Sequence, residues 1–188
     1  MTDAAEIRGV AKYLFEVGAM KRIPRAGWAI AGVKNAETIA EHSHRASVLA
    51  AILAVMEGCD PARACLFMAF HDTQETRIGD IPLIGRRYMS VASNEAVTAD
   101  QVADCPPLVE RAVRGIVDDY ERRDSPEALV ANDADKLECV LQAVEYQRQG
   151  HVNVQDWIDN CRAALKTDSA RAIADAAVAM SGHEWRNG

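Results

Sequence analysis

The sequence has little that would break it into short segments. Its 188 residues include only 11 glycines and 6 prolines, and no run reads as a paired hairpin, which argues against a β fold. The five cysteines, Cys59, Cys65, Cys105, Cys139 and Cys161, are an odd number without CxxC spacing. That excludes a disulfide framework and a zinc knuckle and suits small buried hydrophobes in a reducing cytoplasm. The longest apolar stretch, Val48 to Met56, is far short of a membrane span. The start from Met1 to Arg8 has neither a basic region leading into an apolar core nor a lipidation signal. The expectation is a cytoplasmic protein with no membrane partner. Positive charge is also short. A formal net charge of −7 argues against a nucleic-acid polymer as partner, because many Lys and Arg are needed to neutralise phosphates. One small phosphorylated ligand remains open, since an ion and one or two cationic side chains can hold it.

What is present is helix-forming residues in helical periodicity. Ile7, Val10, Ala11, Leu14 and Phe15 mark a first helix that stops near Lys21 to Pro24, followed by a loop from Arg22 to Asn35. Thr38 and Glu41 have capping-box spacing and open a second helix that ends near Gly58. Asp60-Pro61 opens a third, expected to run to about Glu75 and to be stopped by Gly79 to Pro82. From Leu83 to Pro107 the pattern is weak, with one helix expected around Tyr88 to Val97. Leu108 to Tyr120 and Ser125 to Gln149 read as two more, the second closed by Gly150, and Val154 to Lys166 and Ser169 to Met180 as the last pair. The expected architecture is an all-α bundle of about seven or eight helices forming one domain over residues 1–188.

Two histidines stand where apolar side chains belong. On the second helix Ile39, His42, Ala46, Leu49, Leu53 and Met56 form one stripe, and on the third Ala64, Met68 and His71 repeat it. One inward histidine is most simply a hydrogen-bonded core residue; two on consecutive helices point to a shared ligand. Asp72 beside His71 supplies an N/O donor set suited to borderline or hard divalent ions. Neighbours on a regular helix diverge by about 100°, so convergence requires an ion between the two directions or a distorted helix. Glu75 shares the face of His71, or is a surface glutamate near a helix end. Asp135 lies in a stripe with Ala131, Glu138, Gln142 and Glu145, which can equally be a solvated face.

Taken together, Glu41-His42-Ser43, His71-Asp72 with Glu75, Gly79-Asp80-Ile81, and Asp133 to Glu138 resemble the ordered motifs of the HD superfamily of metal-dependent phosphohydrolases. Arg25 to Trp28 ahead of the first ligand and Gln142 to Tyr146 after the last are similar to the YfbR-like 5′-deoxynucleotidases and their eukaryotic relatives. The matching motifs span Arg25 to Tyr146, about two thirds of the chain. The resemblance implies metal ligation by His42, His71, Asp72 and Asp135. It implies that Glu75 activates the attacking water, that Arg25 holds phosphate and that Trp28 shapes the sugar pocket. It implies, too, that Asp80 contacts the sugar hydroxyl or assists the leaving group. It further implies a homodimer that uses one divalent ion, Co²⁺, Mn²⁺ or Mg²⁺, on nucleoside 5′-monophosphates. One departure is visible. In some bacterial members the arginine directly precedes the tryptophan, whereas Ala26-Gly27 intervene here. A related hydrolase of nucleoside triphosphates and a catalytically silent nucleotide-sensing domain are the alternative readings.

Overall fold

The computed structural model describes residues 3–187, so the outermost residues of the expected 1–188 domain, including the Met1-Thr2 start, lie outside it. Among the described residues the fold is all-α, with eleven α-helices and a single isolated antiparallel bridge between Pro24 and Thr38. Eight helices have eight or more residues: α1 (Ala4–Val17), α3 (Ile39–Glu57), α4 (Pro61–Phe70), α7 (Asn94–Gln101), α8 (Pro107–Arg122), α9 (Pro126–Arg148), α10 (Gln155–Ala164) and α11 (Asp168–Ala179). Three are single turns: α2 (Ala26–Ile30), α5 (Glu75–Ile78) and α6 (Leu83–Arg86). None of the helices is long and apolar enough to cross a membrane.

The centre is the pair α3 and α9, with α4, α10 and α11 packed around them. Ala46, Ala50 and Ala54 of α3 and Ala131 and Ala134 of α9 are all fully buried. Small side chains at these positions let two long helices approach closely, and Leu53, Phe67, Met68 and Leu137 fill the space between layers. Burying each of these larger side chains contributes about 1.5–3 kcal/mol. The start of each central helix is set locally. Thr38 and Glu41 form the full capping box of α3, and Ser125 caps α9 ahead of Pro126.

Three segments depart from the sequence reading. Helix α4 stops at Phe70 rather than near Glu75, and residues 71–74 form a turn before α5 begins. The loop after α1 contains α2, placed by backbone bonds from Arg25 to the Glu37 carbonyl (2.9 Å) and from Ile39 to the Ile23 carbonyl (2.9 Å). The helix expected around Tyr88 to Val97 begins instead at Asn94, because the Ser93 hydroxyl caps it by accepting from the Ala96 amide.

Candidate metal centre and active site

His42 enters the site from the first turn of α3 and is fully buried. His71 is the residue on which α4 ends, and Asp72 lies in the turn that follows. Past Phe70 the chain tightens into three-residue turns, with the Thr73 amide on the Phe70 carbonyl (3.3 Å) and the Glu75 amide on the Asp72 carbonyl (3.1 Å), and His71 Nε2 lies 3.0 Å from Asp72 Oδ2. Asp135 comes from the interior of α9, and its stripe faces α3 rather than solvent: Glu138 is fully buried and Gln142 is buried.

His42, His71 and Asp135 each bring a donor atom within 4.8 Å of the others, and Asp72 lies against both histidines. His42 Nε2 lies 3.3 Å from His71 Nε2, 3.3 Å from Asp135 Oδ1 and 3.7 Å from Asp72 Oδ2. His71 Nε2 lies 4.0 Å from Asp135 Oδ1. Donors that share one ion with bonds of about 2.0–2.2 Å sit roughly 3–4 Å apart, which these separations match. The other nitrogens are committed elsewhere, His71 Nδ1 to the Met68 carbonyl at 2.8 Å and His42 Nδ1 to Glu138 at 2.5 Å. Both Nε2 atoms are therefore left for the cluster.

Electrostatics agree with a cation site. Burial disfavours a charged His42, but hydrogen bonds to Asp135 and Glu138 outweigh it and raise this imidazole to about 10. Burial also opposes ionisation of Asp72 and Asp135. Asp72 is nonetheless held ionised by His71, Arg25 and His42, and Asp135 by His42 and Lys136. Lys136 Nζ lies 2.5 Å from Asp135 Oδ2. A cluster that charges its own imidazole so strongly is one that favours positive charge.

Glu75, at the first position of α5, lines a cavity of about 250 Å³ together with His71, Asp72, Ile81, Arg86 and Asn94. Burial and the neighbouring Asp72 and Asp80 push its carboxyl up to about 9, and its Oε2 is buried without a partner. Arg25 precedes α2 and points Nη1 at Asp72 Oδ2 (3.3 Å) and Asp80 Oδ2 (3.9 Å). Asp80 Oδ2 accepts from the Ala26 amide at 2.7 Å, which ties the turn after α5 to the loop carrying Arg25.

Trp28 is placed differently from the other candidates. It is 2% exposed, packs edge-on against Tyr146 and beside Trp157, and donates its indole N–H to Glu37 at 2.8 Å. The structure brings it into an aromatic cluster behind the site and not into the lining of the cavity. Glu138 and Arg45 escaped the site prediction. Glu138 lies one helical turn beyond Asp135, and that i, i+3 spacing was the available signal.

The model of the HD domain family matches residues 17–176. The chain belongs to the HD domain family. Among curated members, the HD-domain protein of Danio rerio called 5′-deoxynucleotidase HDDC2 is 30% identical over 136 residues, covering 70% of this chain and 66% of that protein. The Homo sapiens protein of the same name is 27% identical over 157 residues, 81% of this chain and 76% of that one. Among solved structures, a conserved hypothetical protein from Pyrococcus furiosus superposes with a TM-score of 0.72 at 27% identity, covering 90% of this chain and 99% of the other. The matched range contains one His-Asp dipeptide, His71-Asp72.

Proposed function

We propose that this HD-domain chain is a divalent-metal-dependent phosphohydrolase that removes phosphate from deoxyribonucleoside 5′-monophosphates. The observation that carries the reading is the gathering of N and O donors from His42, His71, Asp72 and Asp135 beside a cavity lined by Glu75, whose Oε2 is buried without a partner. The donor set of His42, His71, Asp72 and Asp135 fits one octahedral ion with positions left over, and Co²⁺, Mn²⁺ and Mg²⁺ all accept such ligands. When bound, the ion acidifies its water and neutralises phosphoryl charge. The relatives named 5′-deoxynucleotidase support the substrate class.

Glu75 accepts the water proton. Its carboxyl, held up to about 9 by burial and by Asp72 and Asp80, becomes a carboxylate at lower pH once positive charge is nearby. Arg25 stays charged and clamps the phosphate with charge-assisted bonds in place of its contact with Asp72. Asp80 keeps Oδ2 on the Ala26 amide and presents its other oxygen to the sugar hydroxyl or the leaving group. Trp28 shapes the sugar pocket from behind, through the loop it anchors. The working unit is one domain that functions in the cytoplasm as a homodimer. Supporting this are five unpaired cysteines and an exposed apolar stripe of Val48, Ile52 and Val55 on α3.

The experiment is phosphate release from nucleoside mono-, di- and triphosphates, ribo and deoxyribo, with Mn²⁺, Co²⁺ or Mg²⁺. Release from deoxyribonucleoside monophosphates is expected. Preference for triphosphates would replace the substrate class, and no release from any of them by metal-loaded protein would overturn the enzyme.

A further inference from the structure

A histidine presents one ring nitrogen to a metal only if the other keeps the proton and the ring is held still. For His71 the second nitrogen meets a backbone carbonyl, that of Met68 at the end of its own helix. For His42 it meets a side chain from a different helix, with Nδ1 lying 2.5 Å from Glu138 Oε2. Glu138 is fully buried, and its other oxygen accepts from Arg45 Nε at 2.9 Å and Nη2 at 2.7 Å. Arg45 is itself held by Glu145 Oε1 at 2.8 Å and Gln142 Oε1 at 2.7 Å, both on α9. The guanidinium charge of Arg45 on Oε1 favours the carboxylate form of Glu138, in which Oε2 only accepts and Nδ1 carries the proton.

We propose that Glu138, backed by Arg45, is the positioning residue of the metal centre: it locks the His42 ring in one orientation and one tautomer, leaving the Nε2 lone pair for the ion beside His71 Nε2 and Asp135 Oδ1. The inference rests on the metal-centre reading above. A buried charged pair is a poor way to hold two helices that already pack through alanines, because desolvation offsets most of its attraction. A second buried carboxylate on the same helix shows what a purely structural one looks like. Asp133 is also fully buried, and it accepts from the Lys166 amide (3.0 Å), the Thr167 amide (2.7 Å) and the Thr167 hydroxyl (2.8 Å). Those bonds tie α9 to the link between α10 and α11 and touch none of the four ligands.

The test compares the wild type with Glu138→Ala, Glu138→Gln, Arg45→Met and Asp133→Asn. Three quantities are read: the Co²⁺ dissociation constant by calorimetry, the visible spectrum of the Co²⁺-loaded protein, and the melting temperature without metal. Glu138→Ala is expected to weaken Co²⁺ binding about 10–100-fold and to change the spectrum. Glu138→Gln, whose amide oxygen still accepts from Nδ1 while its NH₂ group then faces Arg45, restores the wild-type spectrum with an affinity between those of Glu138→Ala and the wild type. Asp133→Asn lowers the metal-free melting temperature and leaves affinity and spectrum unchanged. If Glu138→Ala does not fold, Arg45→Met decides by the same readouts, with weakened binding expected. Unchanged affinity and spectrum in Glu138→Ala would overturn the proposal, as would an equal loss of affinity in Asp133→Asn. A wild type that binds no Co²⁺ would overturn the metal-centre reading itself, whereas the proposal alone fails if the wild type binds and the variants do not differ.

Discussion

The two halves of the donor cluster are built by opposite means. His42 and Asp135 project from α3 and α9, two long helices packed through fully buried alanines. His71, Asp72 and Glu75 come from the place where α4 gives up its hydrogen-bond ladder and α5 starts afresh. One half obtains its geometry from regular structure and the other from a turn. The turn is held from outside: Gln74 Nε2 donates to Thr98 Oγ1 at 2.8 Å, and Gln101 Nε2 reaches the Thr73 carbonyl at 3.0 Å, both partners lying on α7. Regular helices supply rigid donors. The turn carries His71, Asp72 and Glu75, all of which line one cavity.

The comparison breaks first, and most severely, at the ligands. If both halves hold the same ion, His42→Ala and His71→Ala must each abolish metal retention and activity, as chelation does in the wild type, whatever the local backbone. Metal content by elemental analysis alongside phosphate release checks this. A variant of either half that keeps a full equivalent of metal would mean that the ion sits in the other half alone.

Next is Glu75, which belongs to the turn half but is not a ligand in this account. Glu75→Gln should retain metal and lose about 10²–10⁴-fold in kcat, the usual share of a positioned general base. The pH profile gives an independent sign. A base raised to about 9 by burial, Asp72 and Asp80 is protonated and inactive below that value, and positive charge in the cluster pulls it back down. The acidic limb of kcat should therefore rise with pH, have its inflection below 9 in the metal-loaded protein, and be missing from Glu75→Gln. A limb that persists unchanged in the variant would assign the proton acceptor to another group.

This difference between the halves also governs what could be read from the sequence. His42 was legible because it replaces an apolar residue in a stripe of period 3.6, and α3 and α9 were legible from Thr38, Ser125 and Pro126 at their starts. Asp72 was not, since periodicity alone sends it about 100° away from His71. The turn after Phe70 is bonded to Thr98 and Gln101, which are distant in sequence and sit in the segment whose pattern was weakest. Asp135 was ambiguous for a related reason. A helix packed on several sides carries buried polar residues where a surface helix carries solvated ones, and composition does not separate them. Trp28 shows the limit of a motif: its place ahead of the first ligand was readable, whereas its burial against Tyr146 and Trp157 was a matter of packing.

The smallest effect sharpens the contrast best, because it separates stability from geometry. Leu53, fully buried in the α3 core, supports the helix half by packing alone. Leu53→Ala should cost about 2–5 kcal/mol of stability and leave Co²⁺ affinity and kcat nearly untouched in the protein that remains folded. Gln101 supports the turn half through its contacts with the Thr73 carbonyl, Thr76 Oγ1 (3.1 Å) and Glu16 Oε1 (2.9 Å). Gln101→Leu should cost only about 1–3 kcal/mol, the penalty for leaving buried groups without a partner. It should nonetheless lower kcat/KM about tenfold, because small displacements of reacting groups are expensive even when the fold survives them. Denaturant melts and steady-state kinetics on the two variants give four numbers. If activity follows stability in both, the turn is an ordinary part of the scaffold; if it falls in Gln101→Leu alone, α7 sets the placement of His71, Asp72 and Glu75.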